Sequence, residues 1–279
     1  MLNKKIKNTT IIKCAILLCA VIAIVLYCVW EDNAISISHY TYQSQKVSES
    51  LCGFRIVQIS DLQNKSFGKN SERLLEKIEN ESPDIIVITG DLADRNHTDI
   101  PAALGFVEGA VKIAPVYYIT GNHEYGLSQE DFDCLMTTMK NYGVTVLNND
   151  CVTVSDSDCS FNLIGLSDNI LGYDIPYGIV PQSDKLNVLL AHEPQYIEKY
   201  AELGVDLVFS GHAHGGQFRI PFIGGVYAPG QGLFPKYTSG IYAVNDATMV
   251  VSRGLGNSVF PIRINNRPEI VVTDLKSQQ

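Results

Sequence analysis

Ile85-Ile86-Val87-Ile88-Thr89-Gly90-Asp91-Leu92-Ala93-Asp94 passes from an unbroken β-branched run into a glycine and two carboxylates three residues apart. The run is short, apolar and bounded by Pro83 and Gly90, so it reads as a strand with a carboxylate-bearing turn at its end. The same arrangement recurs along the chain. Residues 54–60 precede Asp61-Leu62-Gln63, residues 116–120 precede Gly121-Asn122-His123-Glu124, residues 186–190 precede Ala191-His192, and residues 207–210 precede Gly211-His212-Ala213-His214. Four of the six histidines, His123, His192, His212 and His214, fall in these blocks, which a random scatter would rarely produce. In open α/β sheets ligands bind beyond the carboxyl ends of the strands, so five strand ends can deliver distant side chains to one place.

Carboxylates, neutral imidazoles and an amide oxygen are what a pair of divalent cations requires. Taken singly, Asp91 and Asp94 are ordinary turn residues and Asn122 an ordinary Gly-Asn turn. Taken as an ordered set, they predict metal binding. The glycines around His212 and His214 give the backbone freedom for two imidazoles at i and i+2 to face one centre.

The order of these blocks resembles the calcineurin-like metallophosphoesterase family, from residue 54 to about residue 275. Gly215-Gly216-Gln217, Pro221-Phe222-Ile223-Gly224-Gly225 and Tyr227-Ala228-Pro229-Gly230-Gln231-Gly232 are similar to a branch of membrane-attached bacterial phosphodiesterases, some of which act on lipid-linked or nucleotide-sugar pyrophosphates. The resemblance implies an α/β fold, a four-layer α/β/β/α sandwich. It implies two divalent metal ions (Mn, Zn, Fe or Mg), with Asp61 and His214 on the first, Asp91 bridging, and Asn122, His192 and His212 on the second. It also implies His123 over the substrate as general acid, oriented by Asp94, with a metal-bridged hydroxide attacking phosphorus. Gln63 departs from the common pattern, which has histidine there. An amide oxygen is a weaker donor to zinc or iron and suits manganese or magnesium, so the first metal site is expected to be weaker, more selective for hard ions, or empty until substrate arrives. Arg95 is either a phosphate contact through its planar fork or a solvated loop arginine.

The expected reaction is hydrolysis of a phosphodiester or pyrophosphate on a small or lipid-linked envelope substrate. Two rivals stand beside it: a membrane-tethered sensor that retains only the pocket, motivated by Gln63, and a phosphomonoesterase.

Residues 1–10 carry Lys4, Lys5 and Lys7, and residues 11–30 form an apolar stretch of membrane-spanning length that ends in Tyr27 and Trp30. The bulky exit favours an uncleaved signal-anchor over a cleaved signal peptide, and the lysines favour a cytoplasmic N-terminus with the domain outside, at the cell membrane. Residues 31–52 are expected to be a connection or first strand, and 53–279 the catalytic domain. The net charge is −9; without the four lysines of the first 30 residues, 17 basic face 30 acidic side chains, a net −13. Such a domain repels nucleic-acid backbones, so no nucleic acid is expected as partner, whereas bound metals would reverse the field locally for a small phosphate.

Cys14, Cys19 and Cys28 lie in the anchor, and the remaining cysteines show no C-x-x-C spacing. Cys151 and Cys159 flank a turn, where two free thiols are favoured over a disulfide. Helices are expected at 71–81 with Ser71 as N-cap, around 102–111, at 129–141 and at 194–203, with short strands at 144–166. Residues 218–242, rich in Gly, Pro and large apolar side chains, are either a loop packed on the sheet or a membrane-facing lip.

Overall fold

Ile85, Ile86, Val87 and Ile88 are all buried, which a strand achieves only with packed layers on both of its faces. The computed structural model, which describes residues 2–156, 159–168, 179–181, 184–257 and 260–278, shows those layers. In chain order the main strands are β1 (Ser36–Ser44), β2 (Arg55–Ile59), β3 (Ile85–Thr89), β4 (Val116–Ile119), β5 (Thr145–Val146), β6 (Asp150–Asp156), β7 (Cys159–Gly165), β8 (Asn187–Leu190) and β9 (Leu207–Ser210). Two small hairpins follow, β10 (Arg219–Ile220) with β11 (Gly224–Gly225) and β12 (Tyr227–Ala228) with β13 (Gly232–Leu233), then β14 (Gly240–Val244), β15 (Ala247–Val251) and β16 (Glu269–Ser277).

Two six-stranded sheets result, ordered β1-β16-β2-β3-β4-β5 and β14-β15-β9-β8-β7-β6. In the first, β2 to β5 are parallel; in the second, β7, β8, β9 and β15 are parallel. Side chains alternate between layers with period two. Val57, Ile59, Ile86 and Ile88 pack outward against the helices α2 (Glu72–Asn80), α3 (Ile100–Ala110) and α4 (Gln129–Asn141). Ile56, Ile85 and Val87 turn inward to meet Phe161, Leu163, Val188 and Phe209 of the second sheet. The outer face of that sheet, including Leu189, Val208 and Met249, is covered by Ile197 and Tyr200 of α5 (Ile197–Glu202). The architecture is the four-layer α/β/β/α sandwich that the sequence led us to expect.

Local chemistry sets the helix starts. Asp99 accepts from the Ala102 amide ahead of α3, and Ser128 from the Asp131 amide ahead of α4. Ser71 does not act this way. It precedes α2 with a left-handed backbone (φ 58°) and makes no side-chain cap bond, its hydroxyl lying instead 3.5 Å from the Phe67 amide. Residues 36–44 form an edge strand paired in parallel with β16, the strand alternative of the sequence reading. Cys151 and Cys159 lie at opposite ends of the β6–β7 hairpin, opposite Ile164 and Asp156, and Cys151 is a free thiol.

Helix α1 (Leu2–Asn33) precedes β1 and meets the sandwich through its C-terminal turns, where Glu31 is buried. Its segment Ile11–Asn33 is 23 residues long and contains an 18-residue apolar window that no other part of the protein buries. At 1.5 Å per residue the segment spans roughly 34 Å, enough for a bilayer's hydrocarbon core.

The layer between the sheets is a continuous apolar core. Phe161 is fully buried there and meets the Phe54 ring edge-on, with centroids 5.4 Å apart. Phe161→Ala is expected to cost about 3–5 kcal/mol, read from the denaturant midpoint of the detergent-solubilised chain.

Candidate metal centre

The carboxyl ends of β2, β3, β4, β8 and β9 come together along one edge of the sandwich. Gln58 of β2 bridges the sheets there, its Nε2 donating to Thr89 Oγ1 and to the Ser210 carbonyl, both at 2.9 Å. The turns after the strands are crowded. A Cβ on Gly121 would lie 2.3 Å from Asp91 Oδ1, and one on Gly90 (φ 91°) would lie 2.7 Å from both the Gly121 backbone and His192 Nδ1. Asp61, Gln63, Asp91, His212 and His214 all have left-handed backbones, with φ between 46° and 64°. For side chains with a Cβ this costs roughly 1–2 kcal/mol per residue. Backbone bonds hold it in place, including Asp61 N–H to Gly90 O, Gln63 N–H to Asp91 O and Gly211 N–H to His192 O, each 3.0 Å. Strain of this kind clusters at functional sites in proteins generally.

Five of the side chains singled out in the sequence converge. Two groups suited to a cation share Asp91: Asp91, His192 and His212, and Asp61, Asp91 and His214, with ligating atoms within 4.8 Å of one another in each. His192 Nδ1 donates to the Thr89 carbonyl at 2.7 Å, which fixes the tautomer and turns the Nε2 lone pair inward, 3.2 Å from Asp91 Oδ2 and 3.2 Å from His212 Nδ1. His214 Nε2 lies 3.3 Å from Asp61 Oδ1. Asn122 Oδ1 is buried with no hydrogen-bond partner, as an oxygen reserved for a cation would be.

Gln63 lies over the second group, with Nε2 3.2 Å from His214 Nε2 and 3.5 Å from Asp91 Oδ2, while its Oε1 is buried and unpartnered. A half-turn of the amide would bring the oxygen to the cluster. The donor set therefore fits hard to borderline divalent ions: two carboxylates, three imidazoles and two amides.

The electrostatics agree with that fit. Burial raises the Asp61 carboxyl, with the charge of His192 opposing. Burial works in the same direction on Asp91, but the charge and hydrogen bond of His192 outweigh it and hold Asp91 below the ordinary carboxylate range. Burial lowers His212 and His214 to about 3, helped by His192 and Arg263 respectively, so both are neutral imidazoles with a free lone pair. His192 is pulled the other way. Burial lowers it, but Asp91 and Asp61 raise it well above the ordinary value, so a metal ion and a proton compete for its Nε2.

His123 sits at the rim, 6% exposed, with Nδ1 3.1 Å from Asp94 Oδ1 and Nε2 4.0 Å from Asp91 Oδ2. Its backbone N–H donates to Asp91 Oδ1 at 2.8 Å, so the imidazole and the cluster are positioned by one residue. Arg95 is exposed beside it, with its side chain lying over Gly126.

Three neighbours were not assigned roles from the sequence. Glu124, fully buried, accepts the amides of Gly121 (2.7 Å), Asp91 (3.0 Å) and Ala93 (3.1 Å), lashing the loops after β3 and β4 together. Burial and the Asp91 charge push its carboxyl up to about 8 against the pull of those amides. Its place in the Gly121–Glu124 block was the only signal. Asn266 donates to the His214 carbonyl at 2.7 Å and the Gln217 carbonyl at 3.0 Å, and Asp168 has a buried, unpartnered Oδ1 with its carboxyl raised by burial to about 7. Neither lies in a recognisable motif.

With this geometry in place, comparison with known proteins is informative. Residues 54–216 match the calcineurin-like phosphoesterase family, and the chain belongs to that family. It is 33% identical over 258 residues to the uncharacterized metallophosphoesterase YkuE of Bacillus subtilis, covering 88% of this chain and 87% of the relative. It is 30% identical over 230 residues to the phosphodiesterase YaeI of Escherichia coli, covering 80% and 82%. YkoQ of Bacillus subtilis, another uncharacterized metallophosphoesterase, is 29% identical over 219 residues, covering 77% and 81%.

Metal binding should be measurable as stability. Chelator-treated chain is expected to unfold at a lower temperature than chain supplied with Mn²⁺. Mn²⁺ at a hundredfold its dissociation constant should return about 2.7 kcal/mol per site. Asp91→Asn should abolish most of that thermal shift, because both groups lose their shared carboxylate.

Proposed function

We propose that this chain hydrolyses a phosphodiester or pyrophosphate bond with two divalent ions, on a small or lipid-linked envelope substrate, while held at the cell membrane by α1 with its catalytic domain extracytoplasmic. The observation that carries the reading is the His123–Asp94 pair, 3.1 Å apart, set beside the carboxylate-imidazole cluster. A sensor that only binds phosphate has no use for an oriented proton donor next to its cations. The phosphodiesterase name of the Escherichia coli relative favours a diester over a monoester.

Asp61, Asp91 and His214, joined by Gln63 once its amide turns, would hold the first ion; Asp91, Asn122, His192 and His212 would hold the second. When bound, such a pair lowers the pKa of water toward neutrality and offsets charge on the phosphoryl oxygens. The protein residues do the rest. Thr89 and Asp91 fix the His192 ring, and Glu124 sets the spacing of the two loops that carry Asp91 and Asn122. Asp94 accepts from His123 Nδ1–H and favours the imidazolium form, whose second proton, on Nε2, would pass to the departing oxygen. Arg95 can extend its guanidinium to a phosphate oxygen from the exposed side.

Retention of α1 is favoured by its outer end, where Glu31 is 5% exposed and accepts the Asn266 amide at 2.9 Å; cleavage would strip this bond from the residue that holds the His214 loop. Lys4, Lys5, Lys7 and Lys13 on the other side favour a cytoplasmic N-terminus.

Turnover of bis(p-nitrophenyl) phosphate by the chelated chain, titrated with manganese, zinc or magnesium, tests the reading. Metal-dependent hydrolysis should exceed that of the monoester p-nitrophenyl phosphate, and metal binding without turnover on either would leave the sensor. His123→Ala should lower kcat by about 10²–10⁴-fold while metal content is retained. Gln63→His should tighten zinc at the first site, measured by competition with a chromogenic chelator.

A further inference from the structure

Outside α1, the exposed large apolar residues are unevenly placed. Among the described residues only Tyr125 and Ile241 lie elsewhere; the others belong to the two small hairpins and to residues 260–262. Phe222 at the first hairpin tip is 108% exposed, Ile223 65%, and Leu233 and Phe234, at the end of β13 and just after it, 71% and 63%. Phe222 and Phe234 are both held with left-handed backbones (φ 68° and 51°), an unfavourable conformation for a bulky side chain that here ends in full exposure.

These segments are tied to one another and to the outer end of α1. Arg219 N–H donates to the Ile264 carbonyl at 3.0 Å, Asn265 Nδ2 donates to the Arg219 carbonyl at 3.2 Å, and Phe234 N–H donates to the Val226 carbonyl at 2.8 Å. Phe218 packs on Phe260 with ring centroids 5.2 Å apart. From the helix, Tyr27 donates to Asn265 Oδ1 at 2.9 Å, Asp32 accepts from Asn257 Nδ2 at 3.0 Å, and the Arg267 guanidinium lies over the Trp30 ring at 5.5 Å. Tyr27 is inside the apolar stretch Ile11–Asn33, so the residue it binds, Asn265, sits at the level where that stretch leaves the bilayer.

We propose that Phe222, Ile223, Leu233, Phe234, Phe260 and Ile262 form a wedge that enters the outer bilayer leaflet beside α1 and seats the metal centre at headgroup level, for a substrate whose scissile phosphate belongs to a membrane lipid. The occupant is argued from continuity: the wedge is hydrogen-bonded to the segment that grips the anchor, and the next residue, Asn266, grips the His214 loop. Exposed aromatics with a neighbouring arginine suit the interface, where apolar rings are buried and cations meet lipid phosphates. A water-soluble diester would need neither the wedge nor a rigidly attached anchor. The proposal rests on α1 spanning the membrane and, for its substrate class, on the hydrolytic reading above.

The test uses the full chain in nanodiscs. Trp30 is the only tryptophan, so Phe222→Trp in a Trp30→Phe background gives a single reporter. With lipids brominated on the upper acyl carbons its emission should be blue-shifted and quenched at least twofold relative to unbrominated lipid. Water-exposed emission indifferent to bromine would overturn the wedge. Separately, Phe222→Asp with Ile223→Asp should lower hydrolysis of a p-nitrophenyl phosphatidate embedded in the disc by tenfold or more, leaving bis(p-nitrophenyl) phosphate turnover unchanged. Equal effects on both substrates would overturn the lipid substrate class. Should the parent chain hydrolyse neither, the catalytic reading fails, while quenching still decides the wedge.

Discussion

Two carboxylates, Asp61 and Asp91, are buried at the meeting edge of two sheets, and a carboxylate removed from water must find positive charge or donors nearby. Asp91 takes the His123 amide and faces His192; Asp61 takes the His212 amide through both oxygens, at 3.0 and 3.1 Å, and faces His214. These contacts link β2, β3, β4, β8 and β9, so the requirement of two buried anions sets the separation of the sheets at this edge. Elsewhere between the sheets the contact is apolar and makes no such demand. The left-handed turns and tight glycines follow, because carboxylates can be brought this close to facing imidazoles only if the backbone turns sharply after each strand.

The alternating burial of β2, β3 and β8 explains why the edge is rigid enough to hold that arrangement. Helices cover one sheet and α5 the other, so every strand that carries a site residue is clamped on both faces. The metal loop after β9 is further restrained by Asn266, which is in turn bonded to Glu31 at the end of α1. Helix α1 is thus continuous with the candidate centre through two hydrogen-bonding side chains, and is not attached by a loose linker.

The fold was largely legible because its strands are short apolar runs with turn residues at both ends, and the boundaries of β3, β9 and α4 fell where those signals placed them. The residues of the candidate centre were legible by type for the same reason: each lies immediately after a strand, where local sequence determines what reaches the edge. Ser71 shows the limit of local reading. Its type and position suit a cap, yet the left-handed turn preceding α2 takes its hydroxyl elsewhere. Gln63 was recognisable as a departure, but which amide atom faces the cluster depends on neighbours contributed by residues 91 and 214.

What the chain order contains without folding is the list of strand ends, the chemistry available at each, and a helix apolar enough for a membrane, since these depend on neighbours a few residues apart. Glu124 as the tie between loops, Asn266 between the His214 loop and α1, the unpartnered Asp168 oxygen, and the clustering of exposed apolar residues around the segment that Tyr27 binds belong to the tertiary structure alone. Each depends on which segments are brought into register across tens or hundreds of residues, a matter of packing between layers that no local pattern encodes.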